Sequence, residues 1–510
     1  MAHSWDNEEA GEQIEKRLED VKEVTIIDYK RDMSLEKIAT NKAYRVDGVH
    51  LYADILNLDE MLNCTEVEGV ECHRRTLRFL NQHYRAVNRI LGRTEAKRID
   101  FHNQRLHSLI AKPYNTEDDA EKKRVQKAVA IAQLIIDVLQ QTGDDDEHIP
   151  AAKVRVGIDS GLALAVNNGR NGNREPLFLG EPANHAAKFA AGSKTGIYLT
   201  NKARLAIGLA ELDKPRLTAL TAAEIENCQT AADLDVTVDE IVDDWREDLE
   251  NNPIGQFQFS GHTPPMKNLP ILDLTPANSR RQDATSIYAD IDGFTKYVAD
   301  HIDDQAEDVV RCLHVIRAEL ERVVKEDFEG RRIRFVGDCI HAVLCEGTAQ
   351  TTEVEKTITD TTLCAGALRS SFDLALEKLA DDGVDTAGLG LAIGFEFGPI
   401  AISRLGIKGD RVRCAVSRGV LTSEVEQGRC TGTQTAIGPL AYDKASQAVK
   451  DLFNDNRKVS DLDYNEATEA LSNSGDEDAK ASRNSGFEKA AASPAIIKAA
   501  DREVRPHASI

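Results

Sequence analysis

The feature that most constrains the fold of this chain is an internal repeat. The segments HLYADIL (50–56) and SIYADID (286–292) are each followed by a helical pattern, a hairpin about 50 residues further on and a second helical pattern. Both copies then continue into a strand of the form G-x-x-x-G, VGIDSG in the first copy and IGFEFG in the second. Three ordered matches at similar spacing indicate two copies of one domain.

Each copy reads strand, helix, strand, strand, helix, strand, which predicts an α+β fold of two tandem ferredoxin-like (βαββαβ) domains. A chain of 510 residues exceeds the size of a single core, in agreement with two domains and connecting segments. The predicted boundaries are an N-terminal extension at 1–43, a first domain at 44–215, an acidic, proline-bearing linker at 216–281, a second domain at 282–447 and a low-complexity, disordered C-terminal tail at 448–510.

The overall charge excludes some classes of partner. A formal net charge of -23 and a pI of about 5.1 repel nucleic acid and anionic membrane surfaces, so we expect neither as a partner. The longest apolar run, Ala128 to Leu139, is too short to cross a bilayer and predicts a buried helix. Nine cysteines without a C-x-x-C pair predict a reduced, cytoplasmic protein without a disulfide framework or a zinc cluster.

Two carboxylates of the second copy form a candidate metal site. Asp290 ends the first strand, and Asp338 lies in the hairpin turn, where Gly337 permits a tight backbone. Each aspartate alone is explained by a helix cap or an ordinary turn, but the pair at this spacing favours a site for Mg²⁺ or Mn²⁺. The turn that opens the next helix offers backbone N–H groups to a triphosphate, and its residues are Asp292, Gly293, Phe294 and Thr295.

These motifs, YADIDGFT and FVGDCIHAV, resemble the metal-binding half of class III nucleotidyl cyclases, the adenylate and guanylate cyclase family. The resemblance covers about two thirds of the chain in its two copies. It implies a head-to-tail domain pair in which Asp290, Ile291 and Asp338 hold two metal ions. In that family the metal aspartates face an asparagine, and a basic residue four positions later, from the other domain.

By this resemblance, each copy has lost the functional residues that the other copy has kept. In the first copy Asn184 and Lys188 fit the asparagine and basic residue of the family, with lysine in place of arginine. We therefore expect one complete site at the seam, where Asn184 orients the ribose and Lys188 stabilises charge on the phosphorane. A second, vestigial site is expected from the residues in the remaining matching positions, Asp54, Gln104, Ser417 and Leu421.

The resemblance also bears on the base. The positions that read a purine in the family hold Asp100 and Leu177, so the adenine pair is absent and the guanine pair is at best half present. The surrounding sequence looks like the pyrimidine cyclases of Pycsar antiphage systems. That implies conversion of UTP or CTP to a cyclic nucleotide, with UTP slightly favoured, and a separate effector that the product activates. The competing hypotheses are an adenylate or guanylate cyclase and an inactive nucleotide-sensing pseudo-cyclase.

Three questions stay open from the sequence. The two domains could pair within one chain or exchange between chains to give a homodimer. His107 and His341, at equivalent places in the two hairpins, are expected to be structural and not metal ligands. A basic cluster in the second domain fits either a triphosphate contact or a solvated loop, and it consists of Arg404, Lys408, Arg411 and Arg413.

Overall fold

The computed structural model describes residues 3–31, 33–35, 38–144, 148–167, 176–407, 409–473 and 479–480. Lys408 of the predicted basic cluster lies outside the described residues. Two β-sheets organise the chain, one for each repeat. In the part of the chain that is described, no helix has the length and apolarity needed to cross a membrane.

The first half of the chain contains one complete repeat. Its elements are α1 (Asn7–Asp20), β1 (Thr25–Asp28), β2 (Lys42–Ile55), α2 (Leu58–Leu62), α3 (Val70–Arg93), β3 (Lys97–His102), β4 (Arg105–Ile110), α4 (Ala120–Leu139), β5 (Val154–Asn167), β6 (Pro176–Leu179), α5 (Glu181–Ala190), β7 (Gly196–Leu199) and α6 (Asn201–Ala206). The sheet order is β3-β4-β2-β5-β6, with β1 beside β2 and β7 beside β5. The order β3-β4-β2-β5 is that of a ferredoxin-like unit, as predicted.

The second half repeats this plan. Its elements are α7 (Ala222–Ala232), α8 (Val238–Asn251), β8 (Phe259–Ser260), β9 (Ser279–Asp292), α9 (Phe294–His301), α10 (Ala306–Arg322), β10 (Arg331–Val336), β11 (Cys339–Leu344), α11 (Val354–Asp381), β12 (Gly390–Leu405), β13 (Val412–Val416), α12 (Arg418–Gly428), β14 (Gln434–Ile437), α13 (Pro439–Lys444), α14 (Gln447–Phe453), β15 (Lys458–Ser460) and α15 (Tyr464–Asn473). The sheet order is β10-β11-β9-β12-β14-β15, with β13 beside β12 and β8 beside β9.

Hairpins exchanged between the domains hold the pair together. The β5–β6 hairpin of the first domain buries apolar residues in the core that contains Phe294 and Val298 of the second, and these are Leu164, Val166, Leu177 and Leu179. The β12–β13 hairpin of the second domain does the reverse in the first core, through Ala401, Leu405, Val412, Cys414 and Val416. The head-to-tail pair is therefore formed within one chain, because each core is completed by its sibling.

One glycine in each central strand lets a helix pack directly on the sheet. A Cβ atom on Gly157 would overlap the backbone of Ala186 and Ala190 in α5. A Cβ atom on Gly394 would overlap the backbone of Gln427 in α12. Only a residue without a side chain permits this approach, so these glycines fix the register of α5 and α12 against equivalent strands.

The N-terminal extension and the linker are folded parts of the domains. Helix α1 packs against α10 and α11 of the second domain, and the Trp5 indole donates a hydrogen bond of 2.6 Å to Ser371 Oγ. In the linker, α8 buries Trp245 on the first domain. Arg85 of α3 pairs with Asp248 of α8 at 2.6 Å, and both side chains are buried.

The predicted start of the C-terminal tail at 448 is wrong. Helix α14, strand β15 and helix α15 lie in this stretch, and β15 pairs with β14. The low-complexity composition hid a sparse set of apolar residues that the second core buries, namely Val449, Phe453, Leu462, Tyr464, Ala467 and Leu471. The rest of the predicted tail, apart from 479–480, lies outside the described residues.

Candidate active site

The two candidate metal carboxylates lie at the same end of the second sheet. Asp290 is near the end of β9, and Asp338 lies in the turn between β10 and β11, where Gly337 has a φ of +64°. Strands β9 and β11 are neighbours, with Ala289 opposite Ile340. Adjacent strand ends therefore bring the two side chains together, as the sequence predicted.

Burial and mutual repulsion make this pair a good cation site. Burial, together with the charges of Asp292 and Glu424, raises the pKa of Asp290 to about 6. Burial and the neighbouring Asp290 raise the pKa of Asp338 well above its ordinary value, although Arg317 opposes this. A divalent cation with oxygen ligands would relieve this repulsion, so the residues fit Mg²⁺ or Mn²⁺.

The third residue of the predicted metal set, Ile291, can take part through its backbone alone. Its side chain is 1% exposed and belongs to the apolar core of the second domain. It pairs with Leu391 of β12 in the sheet. The buried side chain of Ile291, between Asp290 and the turn, therefore holds the end of β9 in position.

The turn after β9 is fixed by a glycine and by a side-chain hydrogen bond. Gly293 has a φ of +82°, and a Cβ atom there would collide with the Gly388 carbonyl, so glycine suits this position. Asp292 Oδ2 accepts a hydrogen bond of 2.8 Å from the Gly432 N–H group, so this carboxylate holds the turn against the loop between α12 and β14. Phe294 begins α9 with its ring in the core.

Asn184 of the first domain reaches this turn of the second. Its side-chain Nδ2 donates a hydrogen bond of 2.9 Å to Thr295 Oγ1, in the first turn of α9. Lys188 lies one helical turn further along α5 and is exposed. The structure thus brings the predicted asparagine of one repeat against the predicted phosphate-binding turn of the other.

The two predicted base-reading positions have different surroundings. Asp100 of β3 forms an ion pair with the buried guanidinium of Arg334, which comes from β10 of the second domain. Arg334 also donates a hydrogen bond of 2.6 Å to the Phe101 carbonyl. Leu177 is 8% exposed and packs in the core of the second domain. The Asp100 carboxylate therefore already has a partner in the protein, the Arg334 guanidinium. The two residues are 234 positions apart, so local sequence does not reveal this contact.

The predicted equivalence of Ser417 with Asn184 is wrong by one helical turn. Ser417 is the N-cap of α12, as Gly180 is the N-cap of α5. The register against Gly157 and Gly394 agrees, so Leu421 corresponds to Asn184 and Val425 to Lys188. The error arose because α5 and α12 have no sequence motif in common by which the two helices could be aligned. In the structure, the contact of α5 with Gly157 and of α12 with Gly394 defines the alignment. Both corrected positions are apolar, so the predicted loss of the asparagine and the basic residue from this copy stands.

Comparisons with known proteins decide the family. No protein-family model matches the chain. A uridylate cyclase of Pseudomonas aeruginosa is 65% identical over 508 residues, which cover 99% of this chain and 98% of that protein. This chain belongs to the uridylate cyclase family. A second uridylate cyclase, from a Rhizobium species, is 38% identical over 435 residues, 82% of each chain.

A solved structure places this family among the class III cyclases. The crystal structure of a class III adenylyl cyclase-like ATP-binding protein from Pseudomonas aeruginosa has a TM-score of 0.91 and 66% sequence identity to this chain. It covers 92% of this chain, and this chain covers all of it. The resemblance inferred from YADIDGFT and FVGDCIHAV is therefore confirmed at the level of fold and family.

The sequence analysis missed three charged residues near the predicted vestigial site, which we call the second inter-domain site. They are Arg105, Glu424 and Arg418. Arg105 follows Gln104 and donates a hydrogen bond of 2.8 Å to Glu424 of α12. Arg418 donates to the Leu62 and Thr65 carbonyls, at 2.9 Å and 2.6 Å. An arginine at 105, where the other repeat has Cys339, was the one available signal, and its partner lies 319 residues away.

The remaining candidates are structural, as far as they are described. His107 Nε2 lies 3.0 Å from His50 Nδ1, and His341 Nε2 lies 3.1 Å from Ser286 Oγ, all in the buried interior, so the predicted structural role is confirmed. In the basic cluster, Arg404 donates to the carbonyls of Leu272 and Arg411, and Arg413 pairs with Arg404 across strands β12 and β13.

Proposed function

We propose that this protein is a nucleotidyl cyclase that converts UTP to 3′,5′-cyclic UMP and pyrophosphate. Two full-length or nearly full-length relatives named uridylate cyclase support this substrate. The observation that carries the proposal is the 2.9 Å hydrogen bond from Asn184 to Thr295, because it joins the asparagine-bearing helix of one domain to the carboxylate-bearing half of the other. CTP is the alternative pyrimidine substrate.

In this proposal the metal ligands come from the second domain. Asp290, Asp338 and the backbone of Ile291 would hold two Mg²⁺ or Mn²⁺ ions, since hard cations take carboxylate oxygens and complete their shells with water and phosphate. When bound, these ions would lower the pKa of the attacking hydroxyl and neutralise charge on the triphosphate. The raised pKa of Asp290 supports this assignment, because burial and the nearby carboxylates Asp292 and Glu424 disfavour its charged form, which a bound cation would favour.

The first domain supplies the groups that act on the ribose and the phosphorus. Asn184 orients the ribose so that its 3′-oxygen lies in line with the α-phosphorus. The 3′-oxygen loses its proton and bonds to the α-phosphorus, while the bond from that phosphorus to the bridging oxygen of pyrophosphate breaks. Lys188 stabilises the negative charge on the phosphorane as a point charge, without the planar fork of an arginine.

The turn after β9 would bind the triphosphate. Gly293 is the N-cap of α9, and Phe294 and Thr295 are its first residues, so their backbone N–H groups belong to a helix N-terminus, which is a favourable place for phosphate. Asp292 contributes through the hydrogen bond that fixes this turn, and not as a phosphate ligand.

The surroundings of the base positions support a pyrimidine. A guanine edge needs an unengaged acceptor, but the Asp100 carboxylate already pairs with Arg334. Leu177 offers an apolar wall that cannot hydrogen-bond a purine edge. Sites that read a base by hydrogen bonds discriminate strongly when their polar groups are matched, and here no matched purine pair is available.

We further place this activity in the cytoplasm, as the second-messenger step of a Pycsar antiphage defence system. The resemblance to Pycsar cyclases supports this assignment, and the cyclic nucleotide would act by binding a separate effector. Nine cysteines without a disulfide fit a reducing compartment.

The test is product analysis with the full-length protein. Each of UTP, CTP, ATP and GTP is incubated with Mn²⁺, and cyclic nucleotides and pyrophosphate are quantified by mass spectrometry. We expect cyclic UMP as the main product, and a loss of about 10²-fold in kcat for Asn184→Ala. The matched control Leu421→Ala, at the equivalent position of the other repeat, is expected to keep kcat within about twofold. Cyclic AMP or cyclic GMP as the main product would identify a purine cyclase, and binding without any product would identify an inactive sensor.

A further inference from the structure

The second inter-domain site retains one carboxylate of the metal pair in a buried position. Asp54 ends β2 as Asp290 ends β9, and it is 6% exposed. Gln104 takes the position of Asp338. Its backbone carbonyl accepts a hydrogen bond of 3.0 Å from the Ile55 N–H group, which holds it next to β2. Among the described residues, neither Asp54 Oδ1 nor Gln104 Oε1 has a hydrogen-bond donor.

A guanidinium lies beside the Asp54 carboxylate. Arg105 is the cross-strand partner of Asp54, and its Nε lies 3.6 Å from Asp54 Oδ2. Its Nη1 donates a hydrogen bond of 2.8 Å to Glu424 Oε1, on α12 of the second domain. The positive group therefore lies between a carboxylate from each domain.

The other repeat has no charge at this position. Leu106 pairs with Ala53, and Ile340 pairs with Ala289, so the register makes Cys339 the equivalent of Arg105. Two carboxylates lie next to Cys339: Asp338 precedes it directly, and Asp290 follows Ala289, the cross-strand partner of Ile340. The site with two carboxylates thus lacks a fixed cation at the position where the site with one carboxylate has an arginine.

We propose that the Arg105 guanidinium is an internal cation that takes the place of a metal ion in the second inter-domain site, so that the chain has one metal–nucleotide site and not two. The inference rests on the proposed function for the statement that the first site binds metal and nucleotide. The apolar residues Leu421 and Val425, at the positions of Asn184 and Lys188, agree with a site that takes no nucleotide.

The physical reason is charge balance. A buried carboxylate without a cation is costly, and a fixed guanidinium offsets part of that cost permanently, whereas a metal site leaves it for a dissociable ion. Burial still raises the pKa of Asp54 to about 6, and Arg105 opposes this rise. Without Arg105, the Asp54 and Glu424 carboxylates would lose the guanidinium between them, and Arg155, the β5 partner of Asp54, would be the remaining positive charge that acts on Asp54. Gln104 Oε1 has no hydrogen-bond donor among the described residues. Three oxygens from two carboxylates and an amide are suitable ligands for Mn²⁺.

The experiment measures Mn²⁺ binding in full-length protein that carries Asp290→Asn and Asp338→Asn, so that the first site no longer contributes. Free Mn²⁺ is followed by electron paramagnetic resonance during titration. With Arg105 present we expect no saturable site. With Arg105→Gln we expect one Mn²⁺ per chain and an affinity at least about tenfold higher than with Arg105. The matched control Arg105→Lys keeps the charge and is expected to behave like the arginine protein.

Two results would overturn the inference. One is equal Mn²⁺ binding by the Arg105→Gln and Arg105→Lys proteins. The other is a saturable site with Arg105 present that Asp54→Asn removes. If Arg105→Gln lowers stability, the melting temperature is the second readout, because Mn²⁺ is expected to raise it in the glutamine variant and not in the lysine variant. None of these variants needs turnover, so a wild-type protein that fails to cyclise UTP would refute the proposed function while the titration would still decide the role of Arg105.

Discussion

The two inter-domain sites occupy equivalent places in the duplicated fold but solve the same charge problem differently. At the first, Asp290 and Asp338 are near neighbours and burial raises the pKa of both, while Arg317 is the positive group that opposes the rise at Asp338. At the second, Arg105 lies between Asp54 and Glu424. The backbone geometry is thus the same at the two sites, but the side chains differ. The second site has Arg105 at the position where the first has Cys339.

The two inter-domain sites also differ in the hydrogen bonds that join the domains next to them. At the second site, Arg418 is bound to the Leu62 and Thr65 carbonyls, and its backbone N–H donates to Glu68 at 2.7 Å. The equivalent residue at the first site is Glu181, which is exposed. Substrate must enter and product must leave a working site, whereas a closed site gains stability from such contacts. The second site therefore has inter-domain hydrogen bonds at Arg418, whereas the equivalent Glu181 of the first site is exposed, in agreement with the proposal that the first site is the one that turns over substrate.

The largest expected difference between the two sites is in their carboxylates. Asp290→Asn or Asp338→Asn is expected to lower kcat by about 10³-fold, since metal ions contribute several kcal/mol of transition-state stabilisation. The same two changes are expected to raise the melting temperature, because they relieve repulsion between buried charges. Asp54→Asn, the matched change at the second site, is expected to keep kcat within about twofold. Steady-state kinetics and calorimetry measure both effects, and activity lost equally at the two sites would break the comparison.

The next largest effect concerns Asp100 and Arg334, which are equivalent residues of the two repeats and pair with each other across the domain seam. Asp100→Asn leaves the Arg334 guanidinium buried without its counter-charge and is expected to destabilise the protein by about 3 kcal/mol. The double change Asp100→Leu with Arg334→Met should recover much of that loss, because it removes both charges. Urea unfolding of the single and double variants tests this, and no destabilisation in the single variant would contradict it.

The third effect is a pH dependence, and it concerns the buried histidine His50 of β2, which the second repeat lacks. Burial lowers the pKa of His50 to about 4, whereas the equivalent position of the second repeat holds Ser286. The unfolded chain binds a proton at His50 below about pH 6.5, but the folded protein does so only near pH 4, so this part of the stability is present above pH 6.5 and is lost as the pH falls toward 4.

We therefore expect His50→Ser to reduce the slope of unfolding free energy against pH between 6.5 and 4 by about one proton, or about 1.4 kcal/mol per pH unit. Ser286→Ala changes no titrating group and is the matched control. An unchanged slope in His50→Ser would show that this histidine does not remain neutral in the folded protein over that range.

Local sequence patterns carried much of this architecture. Alternating and helical periodicities predicted the long helices α3 and α4 and the paired hairpins, because each depends on neighbours within a few residues. The repeat of these elements along the chain predicted the ferredoxin-like plan. The junction between β9 and α9 was predicted for the same reason, since a strand-end aspartate and a glycine turn are local signals. The register of α12 against α5 was not, since Ser417 and Leu421 look alike as candidates until the helix packs on Gly394.

By itself, the sequence determined that two copies of one α+β domain exist and that the acids proposed to bind metal and the proposed ribose-orienting asparagine lie on different copies. Residue type and spacing are sufficient for that. The tertiary structure decided which distant charges meet: Arg105 with Glu424, and Arg334 with Asp100, are 319 and 234 residues apart in the chain. It also decided that each core is completed by a hairpin of its sibling. Such pairings follow from how two folded surfaces fit together, and no local pattern in either segment encodes them.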